Sequence, residues 1–412
     1  MAETAAPVRS VTIVGASLAG HASAKALRSL GFAGRITMVG GERHRPYDRP
    51  PLSKEFLAGR ATVEDLALET EDEDLDAEWM LGARAVSLDS SSRTVTLSDG
   101  RTITADAVVI ATGSFARTLD TAPGSASPGV TEAPRGLHTL RTVEDAAALR
   151  DQLVPGATLV IVGSGFVGLE VASTALDLGI STTVLGSTTW PLSRIFGDTV
   201  ASAVQLLQER HGVTVRNSVL AESILVGAPD DAGRADVTGV RLSGGEEISA
   251  DVIVLGIGSV AAVGWLEGSG LELSNGVVCD EKGFTGVDGV FAVGDCSAWF
   301  DPVRGRPYRI EHWTDSRDRP AITMAALLGI DTPTRVLRPS YLWSDQCGAR
   351  IQFAGRLLGG ETVHVEAGTV DAADLLVVYR RDGEPVAVVG INQPSLVARW
   401  RKRLTSNQGV AA

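Results

Sequence analysis

The chain has 412 residues and a hydrophobic content of 44%, so it can form more than one hydrophobic core. Its formal net charge of −13 argues against a nucleic-acid-binding protein, because phosphate backbones attract positive charge. The N-terminal residues lack the apolar core of a secretory signal and no apolar run is long enough to span a membrane, so we expect a soluble, cytoplasmic protein.

The first predicted element is a dinucleotide-binding unit at residues 8–40, which reads as strand, glycine turn, helix and strand. The turn residues expected to contact a nucleotide are Gly15, Ser17, Leu18, Ala19 and Gly20. A glycine is usual where this chain has Ser17, so we expect a restricted approach of the ligand to the backbone. Glu42 is the carboxylate nearest to the expected ribose position. A glycine turn in an ordinary α/β unit remains the alternative.

The next distinctive segment is RPYDRPPLSKEFLAG at residues 45–59. The two prolines after Arg49 favour a stiff, extended backbone, and Ser53 is placed to cap a short helix that begins near Lys54. The segment is either a rigid surface connection or a loop that presents Arg49 and Lys54 to an anionic or electron-rich ligand. The acidic stretch at residues 64–78 is predicted to be a solvated helical face.

A hairpin is predicted at residues 93–103, followed by a buried strand that ends at Ala111, Thr112 and Gly113. The backbone amides of this ATG sequence could lie near a cofactor. Residues 115–134 are rich in Pro, Gly, Ser and Ala and are predicted to form a linker.

A second dinucleotide fingerprint, TLVIVGSGFVGLE, occupies residues 158–170. The residues expected to contact its nucleotide are Gly163, Gly165, Phe166, Val167, Gly168 and Glu170. The next strand ends at Gly186 and Ser187, where a carboxylate usually binds the 2′-hydroxyl of NAD. The absence of this carboxylate leaves two interpretations open. Either Arg194 neutralises the 2′-phosphate of NADPH, or backbone and water hold the ribose.

Towards the C-terminus, GVFAVGDCSAW at residues 289–299 predicts a buried strand that ends at Asp295, where a carboxylate could bind a sugar-alcohol chain. A helix is predicted beyond Arg319 and Pro320. Strands and a basic terminal helix follow and indicate a further domain.

Two tandem fingerprints, an ATG strand and a GD strand resemble the two-dinucleotide-binding flavoprotein reductases. The segments YDRPPLSKEFLAG, RIEHWTDS and YLWSDQCGARIQFAG are similar to those of the bacterial ferredoxin reductases that feed electrons to haem monooxygenases and aromatic-ring dioxygenases. The resemblance implies an α/β fold with two Rossmann-like domains, like that of glutathione reductase, plus an α+β C-terminal domain at residues 322–412. It implies FAD in a domain formed by residues 1–115 and 247–321, and NAD(P)H in a domain at residues 116–246.

The same resemblance assigns roles to individual residues. Arg49 and Lys54 match positions that contact FAD, with Lys54 near the flavin ring and paired with Glu170 across the domain boundary. Asp295 matches the aspartate that binds the ribityl chain, and Trp313 lies in the segment beside the isoalloxazine. Lys54 and Glu170 are the predicted catalytic residues. An ion pair that only stabilises the fold is the alternative for these two.

The chain departs from the family pattern at three positions, Ser17, Gly41 and Gly186. The last two stand where the family usually has ribose carboxylates. The resemblance favours NADH as the electron donor, and the departure at Gly186 keeps NADPH open.

The cysteines separate this interpretation from neighbouring enzyme classes. Cys279, Cys296 and Cys347 form no metal-ligand or paired-thiol spacing, and no cysteine precedes Cys279. We therefore expect no metal site and neither a disulfide reductase nor a thiol-dependent peroxidase. A monooxygenase that uses oxygen directly is not suggested by the WSDQ and HWT segments.

By resemblance, hydride passes from NAD(P)H to FAD, and single electrons pass from FAD to a [2Fe–2S] ferredoxin. The expected assembly is a monomer or weak homodimer. The candidate ferredoxin-docking arginines and lysine are Arg304, Arg306, Arg309, Arg317 and Arg319, with Arg399, Arg401, Lys402 and Arg403 around Trp400. The alternative function is a flavoprotein that responds to nucleotide and acts through a protein partner, like apoptosis-inducing factor.

Overall fold

A computed structural model of the chain describes residues 7–70, 72–119, 134–330 and 340–408, with side chains up to residue 405. Most of the predicted linker at residues 115–134 lies outside these ranges. The strands of the first half are β1 Ser10–Val14, β2 Arg35–Gly40, β3 Ala77–Leu81, β4 Ala85–Asp89, β5 Thr94–Leu97, β6 Thr102–Thr104, β7 Ala107–Ile110, β8 Ser114–Ala116, β9 Leu137–His138, β10 Thr158–Val162, β11 Ser181–Leu185 and β12 Thr214–Arg216.

The strands of the second half are β13 Ala221–Val226, β14 Val237–Leu242, β15 Glu247–Ser249, β16 Val252–Leu255, β17 Ser259–Ala261, β18 Leu273–Ser274, β19 Gly276–Cys279, β20 Val290–Ala292, β21 Ser297–Asp301, β22 Arg306–Arg309, β23 Tyr341–Gln346, β24 Ala349–Gly355, β25 Thr362–Thr369, β26 Asp374–Arg381 and β27 Glu384–Ile391. The α-helices are α1 Leu18–Ser29, α2 Val143–Gln152, α3 Phe166–Asp177, α4 Ser193–Phe196, α5 Asp198–Arg210, α6 Trp313–Leu327 and α7 Pro394–Gln408. Short 3₁₀ helices occur at Pro50–Ser53, Glu64–Leu66, Gly264–Leu266 and Gly294–Cys296.

The chain divides into two compact units. The first unit consists of Met1–Asp48, Ala67–Phe115 and Val260–Ser340. The second consists of Arg49–Leu66, Ala116–Ser259 and Tyr341–Ala412.

The first unit is built on a parallel sheet in the order β20-β7-β1-β2-β3. Strand β7 is buried along its whole length, which explains its uninterrupted apolar sequence AVVI. Helices α1 and α6 pack against each other. Smaller sheets, β4-β5-β6 and β18-β19-β21-β22, complete the unit, and the first of these contains the predicted hairpin.

The second unit contains another parallel sheet, in the order β12-β11-β10-β16-β9. Strand β16 lies in this sheet beside β10, the strand of the second fingerprint. The predicted boundary at residue 247 assigned β16 to the FAD-binding domain. Hydrogen bonding to β10 instead places β16 with the second nucleotide-binding unit. The division of the chain by cofactor stays a prediction.

The C-terminal part of the second unit is an antiparallel sheet in the order β23-β24-β27-β26-β25. Successive side chains of β26 point to opposite faces of the antiparallel sheet. Val377 therefore belongs to the core that contains β10 and α3, and Val378 packs with α7. Val397, Trp400 and Leu404 form the apolar side of α7, which confirms the predicted terminal helix. The predicted α/β fold class, with two Rossmann-like units and a C-terminal domain, is confirmed.

Three local predictions were wrong. The described residues of the acidic stretch at 64–78 form a 3₁₀ turn, Glu64–Leu66, and the start of β3 instead of a helix. No helix begins near Lys54 in the described structure, because the 3₁₀ helix Pro50–Ser53 ends there and Ser53 bonds elsewhere. Helix α6 begins at Trp313 and continues through Pro320, although proline disfavours helix interiors. An ion pair from Arg319 to Asp315, 3.1 Å long, links successive turns of this helix immediately before the proline.

Candidate functional site

The first fingerprint forms the predicted sharp turn between β1 and α1. Gly15 has a φ of +115°, and a Cβ on it would lie only 2.0 Å from the carbonyl oxygen of Ala111. A Cβ on Gly20 would lie 1.8 Å from the carbonyl oxygen of Gly15. Both positions therefore require glycine, and the N-terminus of α1, with no acidic residue in its first turn, can bind an anion.

Ser17 fits the backbone of this turn without strain. It is the N-cap of α1, with φ −99° and ψ −158°. Gly165, its counterpart in the second fingerprint, caps α3 with φ −83° and ψ 177°. Neither conformation needs glycine, so the serine affects only the space available to a ligand. Its side chain makes no capping hydrogen bond to α1.

Other predicted FAD residues of the first unit lie next to this turn. A Cβ on Gly294 would lie 2.7 Å from the Cβ of Ala19, so the loop that carries Asp295 packs on the first turn of α1. The carboxylate of Asp295 accepts a hydrogen bond of 3.0 Å from Ser316 of α6. In the segment that follows β7, Thr112 donates a hydrogen bond of 2.7 Å to the carbonyl oxygen of Ala262. Gly113 next to it adopts a φ of +71°.

Trp313 and Glu42 form hydrogen bonds with two neighbouring residues, Asp48 and Tyr47. The indole Nε1 of Trp313 donates a hydrogen bond of 2.6 Å to Asp48, and the hydroxyl of Tyr47 donates one of 2.5 Å to Glu42. Glu42 follows Gly40 and Gly41 at the end of β2, as the sequence predicts. Sequence reasoning missed Tyr47, Asp48 and Ser316 as partners, because side-chain contacts depend on the folded backbone, and the contact of Asp48 with Trp313 joins segments far apart in the chain.

The second fingerprint repeats this geometry between β10 and α3. Gly163 has a φ of +112°, and its Cβ would lie 2.2 Å from the carbonyl oxygen of Gly256. A Cβ on Gly168 would lie 2.7 Å from the carbonyl oxygen of Gly163. A Cβ on Gly165, by contrast, would lie 3.9 Å from its nearest neighbour, the carbonyl oxygen of Gly256. This leaves the open space that a pyrophosphate needs. Phe166 and Val167 form the first turn of α3.

Lys54 and Glu170 form a buried ion pair within the second unit. The ammonium of Lys54 lies 2.7 Å from the carboxylate of Glu170, and the two residues are 9% and 5% exposed. The predicted pairing is therefore present, but it does not cross between the compact units. Arg49 also belongs to the second unit, where it donates a hydrogen bond to the carbonyl oxygen of Arg141.

The carboxylate of Glu170 has two further donors that sequence reasoning missed. The hydroxyls of Ser53 and Ser344 each donate a hydrogen bond of 2.5 Å to it. Ser344 in turn accepts from Gln346, and Gln346 accepts from Gln208 of α5. The signal was available in the WSDQ segment, since Ser344 and Gln346 are polar residues two apart on one face of a strand. This network satisfies a buried charge that would otherwise be costly.

The predicted ribose-binding residues lie at the end of β11. Gly186 is buried, Ser187 is exposed, and Arg194 lies exposed on the short helix α4. A Cβ on Gly186 would lie 2.8 Å from Oγ of Ser164. By contrast, a Cβ on Gly41 of the first unit would meet nothing within 4 Å. The two missing ribose carboxylates thus have different structural settings.

The three cysteines are free and buried. Burial raises the pKa of Cys279 and Cys296 and raises the pKa of Cys347 to about 11. These thiols are therefore protonated near neutral pH and poor nucleophiles. Within the described ranges, His, Cys, Asp and Glu side chains form no group of three or more that could hold a metal ion. In the same ranges, no helix is long and apolar enough to cross a membrane.

The candidate docking residues differ in their exposure. Arg319 is buried over the ring of Trp299, so its assignment to a docking surface was wrong. Arg304 and Arg309 form ion pairs with Asp301 and Glu311. Exposed side chains remain at Arg306, Arg317, Arg399, Lys402 and Arg403.

Comparison with known proteins agrees with this geometry. Residues 9–319 match the family model described as pyridine nucleotide-disulphide oxidoreductase, and residues 341–412 match the model described as reductase C-terminal. The ferredoxin–NAD(+) reductase subunit of the benzene 1,2-dioxygenase system of Pseudomonas putida is 35% identical, over 93% of this chain and 89% of the relative. Rhodocoxin reductase of Rhodococcus erythropolis is 34% identical, over 93% of this chain and 87% of the relative.

Solved structures show the same likeness. The crystal structure of a covalent putidaredoxin reductase–putidaredoxin complex matches with a TM-score of 0.88 and 30% identity, over 97% of this chain and 93% of that chain. These comparisons confirm the resemblance drawn from the sequence. The chain belongs to the pyridine nucleotide-disulphide oxidoreductase family.

Proposed function

We propose that the chain is an FAD-dependent NAD(P)H:ferredoxin reductase. It passes electrons to a [2Fe–2S] ferredoxin that serves a haem monooxygenase or a ring-hydroxylating dioxygenase. The observation that carries the proposal is similarity over nearly the whole chain to ferredoxin reductases of oxygenase systems, together with two glycine turns of matching geometry. The buried, protonated cysteines support this oxidoreductase class over a disulfide reductase.

The first unit fits FAD. Gly15 and Gly20 permit the close main-chain approach that forms the turn before α1, and main-chain amides at this helix N-terminus can bind a pyrophosphate. Asp295 lies next to this turn through Gly294 and can accept hydrogen bonds from the ribityl hydroxyls. When bound, FAD would accept two electrons as a hydride from a reduced nicotinamide and release them one at a time to an acceptor.

The second unit would hold the nicotinamide nucleotide on Gly163, Gly165 and the N-terminus of α3. Lys54 would stabilise negative charge on the reduced cofactor, and Glu170 would hold the Lys54 ammonium in place. Ser53 and Ser344 fix the carboxylate, so that the ammonium has one orientation. We further propose a cytoplasmic location and a monomeric or weakly dimeric state.

The proposal is tested with purified protein reconstituted with FAD. Under anaerobic conditions, NADH or NADPH is mixed with the protein and a panel of small iron–sulfur ferredoxins, with cytochrome c as the final acceptor. We expect a flavin absorbance spectrum that bleaches with the nucleotide and cytochrome reduction that depends on added ferredoxin.

Two outcomes would contradict the proposal. One is a protein that cannot be reconstituted with FAD. The other is a protein that reduces ferricyanide but none of the ferredoxins. In the second case, a nucleotide-dependent change in oligomeric state, measured by light scattering, would favour the alternative of a flavoprotein that acts through a protein partner.

A further inference from the structure

A buried acceptor without a partner lies at the end of β11. Oδ1 of Asn217 is buried and has no hydrogen-bond partner in the described part of the chain. A Cβ on Gly186 would lie 3.5 Å from this oxygen. Asn217 thus stands beside the position from which this fold usually extends a carboxylate to the ribose 2′-hydroxyl.

The orientation of the Asn217 amide is determined by its neighbours. Glu209 carries a carboxylate, which only accepts hydrogen bonds, and Nε2 of Gln205 donates one of 2.7 Å to it. Gln205 therefore presents its Oε1 to Asn217, whose Nδ2 donates a hydrogen bond of 2.5 Å. This chain of bonds leaves Oδ1 of Asn217 directed away as an acceptor. A flipped amide would place two donors, or two acceptors, against each other.

The chemistry of the two nucleotides differs at this point. The 2′-hydroxyl of NADH can donate a hydrogen bond, whereas an ionised 2′-phosphate of NADPH can only accept. The guanidinium of Arg216, the residue before Asn217, is held by both carboxylate oxygens of Glu246, at 2.9 and 2.8 Å. That pairing reduces its availability to a phosphate.

We infer that Asn217, oriented by Gln205 and Glu209, accepts a hydrogen bond from the adenosine ribose 2′-hydroxyl and makes the protein select NADH over NADPH. The inference rests on the proposed use of a nicotinamide nucleotide by the second unit. A Cβ at Gly186 would lie 2.8 Å from Oγ of Ser164 and in ordinary contact, at 3.5 Å, with Oδ1 of Asn217, so the glycine leaves the space beside this acceptor open.

The test measures binding of ADP-ribose and of 2′-phospho-ADP-ribose to the oxidised holoprotein by isothermal titration calorimetry. We expect the natural protein to bind ADP-ribose at least about tenfold more tightly. Asn217→Ala should weaken ADP-ribose by roughly three- to tenfold, the value of one hydrogen bond, and change 2′-phospho-ADP-ribose by less than about twofold. The ratio of kcat/KM for NADH and NADPH should fall by the same factor.

Two variants of Gln205 provide matched controls. Gln205→Leu releases the Asn217 amide, which can then turn its Nδ2 towards a phosphate, so discrimination should fall. The double variant Gln205→Glu/Glu209→Gln retains an acceptor for Nδ2 of Asn217 and a donor–acceptor pair between positions 205 and 209, so it should retain the discrimination. The flavin spectrum and thermal unfolding of each variant show that it is folded.

Equal weakening of both ligands by Asn217→Ala, or no weakening, would overturn the inference. A natural protein that prefers 2′-phospho-ADP-ribose and loses this preference in Arg194→Ala would also overturn it. Failure to reduce any ferredoxin would contradict the proposed function alone, since the binding ratio needs no ferredoxin.

Discussion

At the scale of single residues, the buried ion pair of Lys54 and Glu170 carries the strongest chemical proposal. Both charges are nearly excluded from solvent, and hydrogen bonds from Ser53 and Ser344 satisfy the carboxylate. Such pairs contribute little net stability compared with apolar residues, but removal of one partner is costly. The pair can therefore be tested for a role beyond the fold.

Lys54→Met should slow flavin reduction by NADH by at least about tenfold, because it removes a positive charge proposed to stabilise the reduced cofactor. Stopped-flow absorbance measures the rate. The single variant also leaves Glu170 buried and uncompensated, which should lower the unfolding free energy by about 3–5 kcal/mol.

The double variant Lys54→Met/Glu170→Gln separates the two effects. It removes both charges, so we expect stability to recover while flavin reduction stays slow. Recovery of the rate together with stability would favour an ion pair that only stabilises the fold.

Asp315 gives a second residue-level prediction, on pH. Burial raises the pKa of Asp315, but the imidazole of His312, 3.5 Å away, and the charge of Arg319 outweigh burial, so its pKa lies below the usual value. The folded state then favours the ionised form. Its contribution to stability is complete above the unfolded pKa near 3.8 and is lost as pH falls through the lower folded pKa.

We expect Asp315→Asn to destabilise the protein at pH 7 and to differ less from the natural protein as pH falls below about 4. Urea unfolding across this pH range provides the measurement. Asp318, an exposed carboxylate three positions along α6, serves as the control, and Asp318→Asn should have little effect at any pH. A difference for Asp315→Asn that grows on acidification would refute the assignment.

At the scale of elements, the two strand–turn–helix units share one backbone geometry, and one of the three fingerprint glycines is replaced by Ser17 in the first unit. Gly15 and Gly163 have positive φ and no room for a Cβ, whereas the positions of Ser17 and Gly165 have ordinary extended backbones. The departure at Ser17 is therefore local to the ligand side of the turn, and it leaves the folding of β1 and α1 unaffected.

Ser17→Gly should change FAD affinity by less than about tenfold and leave the unfolding temperature within a few degrees, because the backbone already fits. Gly15→Ala should instead prevent stable FAD binding, since its Cβ would overlap the carbonyl of Ala111. Fluorescence titration of the apoprotein with FAD compares the two. Similar losses in both variants would show that the middle position of the turn matters more than its backbone indicates.

At the scale of the whole molecule, a net charge of −13 coexists with exposed basic residues at Arg306 and Arg317 and along α7. Ferredoxin docking on such residues implies electrostatic attraction that salt weakens. We expect the rate constant for ferredoxin reduction to fall as ionic strength rises, while flavin reduction by NADH changes little. A salt-independent rate of ferredoxin reduction would exclude a docking role for these charges.

The rate of ferredoxin reduction in the variants Arg399→Glu and Arg306→Glu then shows whether the attraction comes from α7 or from β22. Arg319→Glu is unsuitable for this purpose, because Arg319 is buried and paired with Asp315.

The local sequence by itself determined both glycine turns, the buried strands beside them and the terminal basic helix. These features follow from neighbouring residues, since a tight turn needs glycine and an apolar period selects helix or strand. The same patterns also supported the family resemblance, which implied the pairing of Lys54 with Glu170.

Only the tertiary structure decided the rest. Ser344, Gln346 and Asn217 acquire meaning from partners distant in the chain, and Arg319 is buried by the helix and ring around it. The same is true of β16, whose apolar sequence suits either parallel sheet and whose place is set by pairing with β10. Hydrogen-bond satisfaction is a property of three-dimensional neighbours, so a linear sequence reveals the donors and acceptors but not which of them meet.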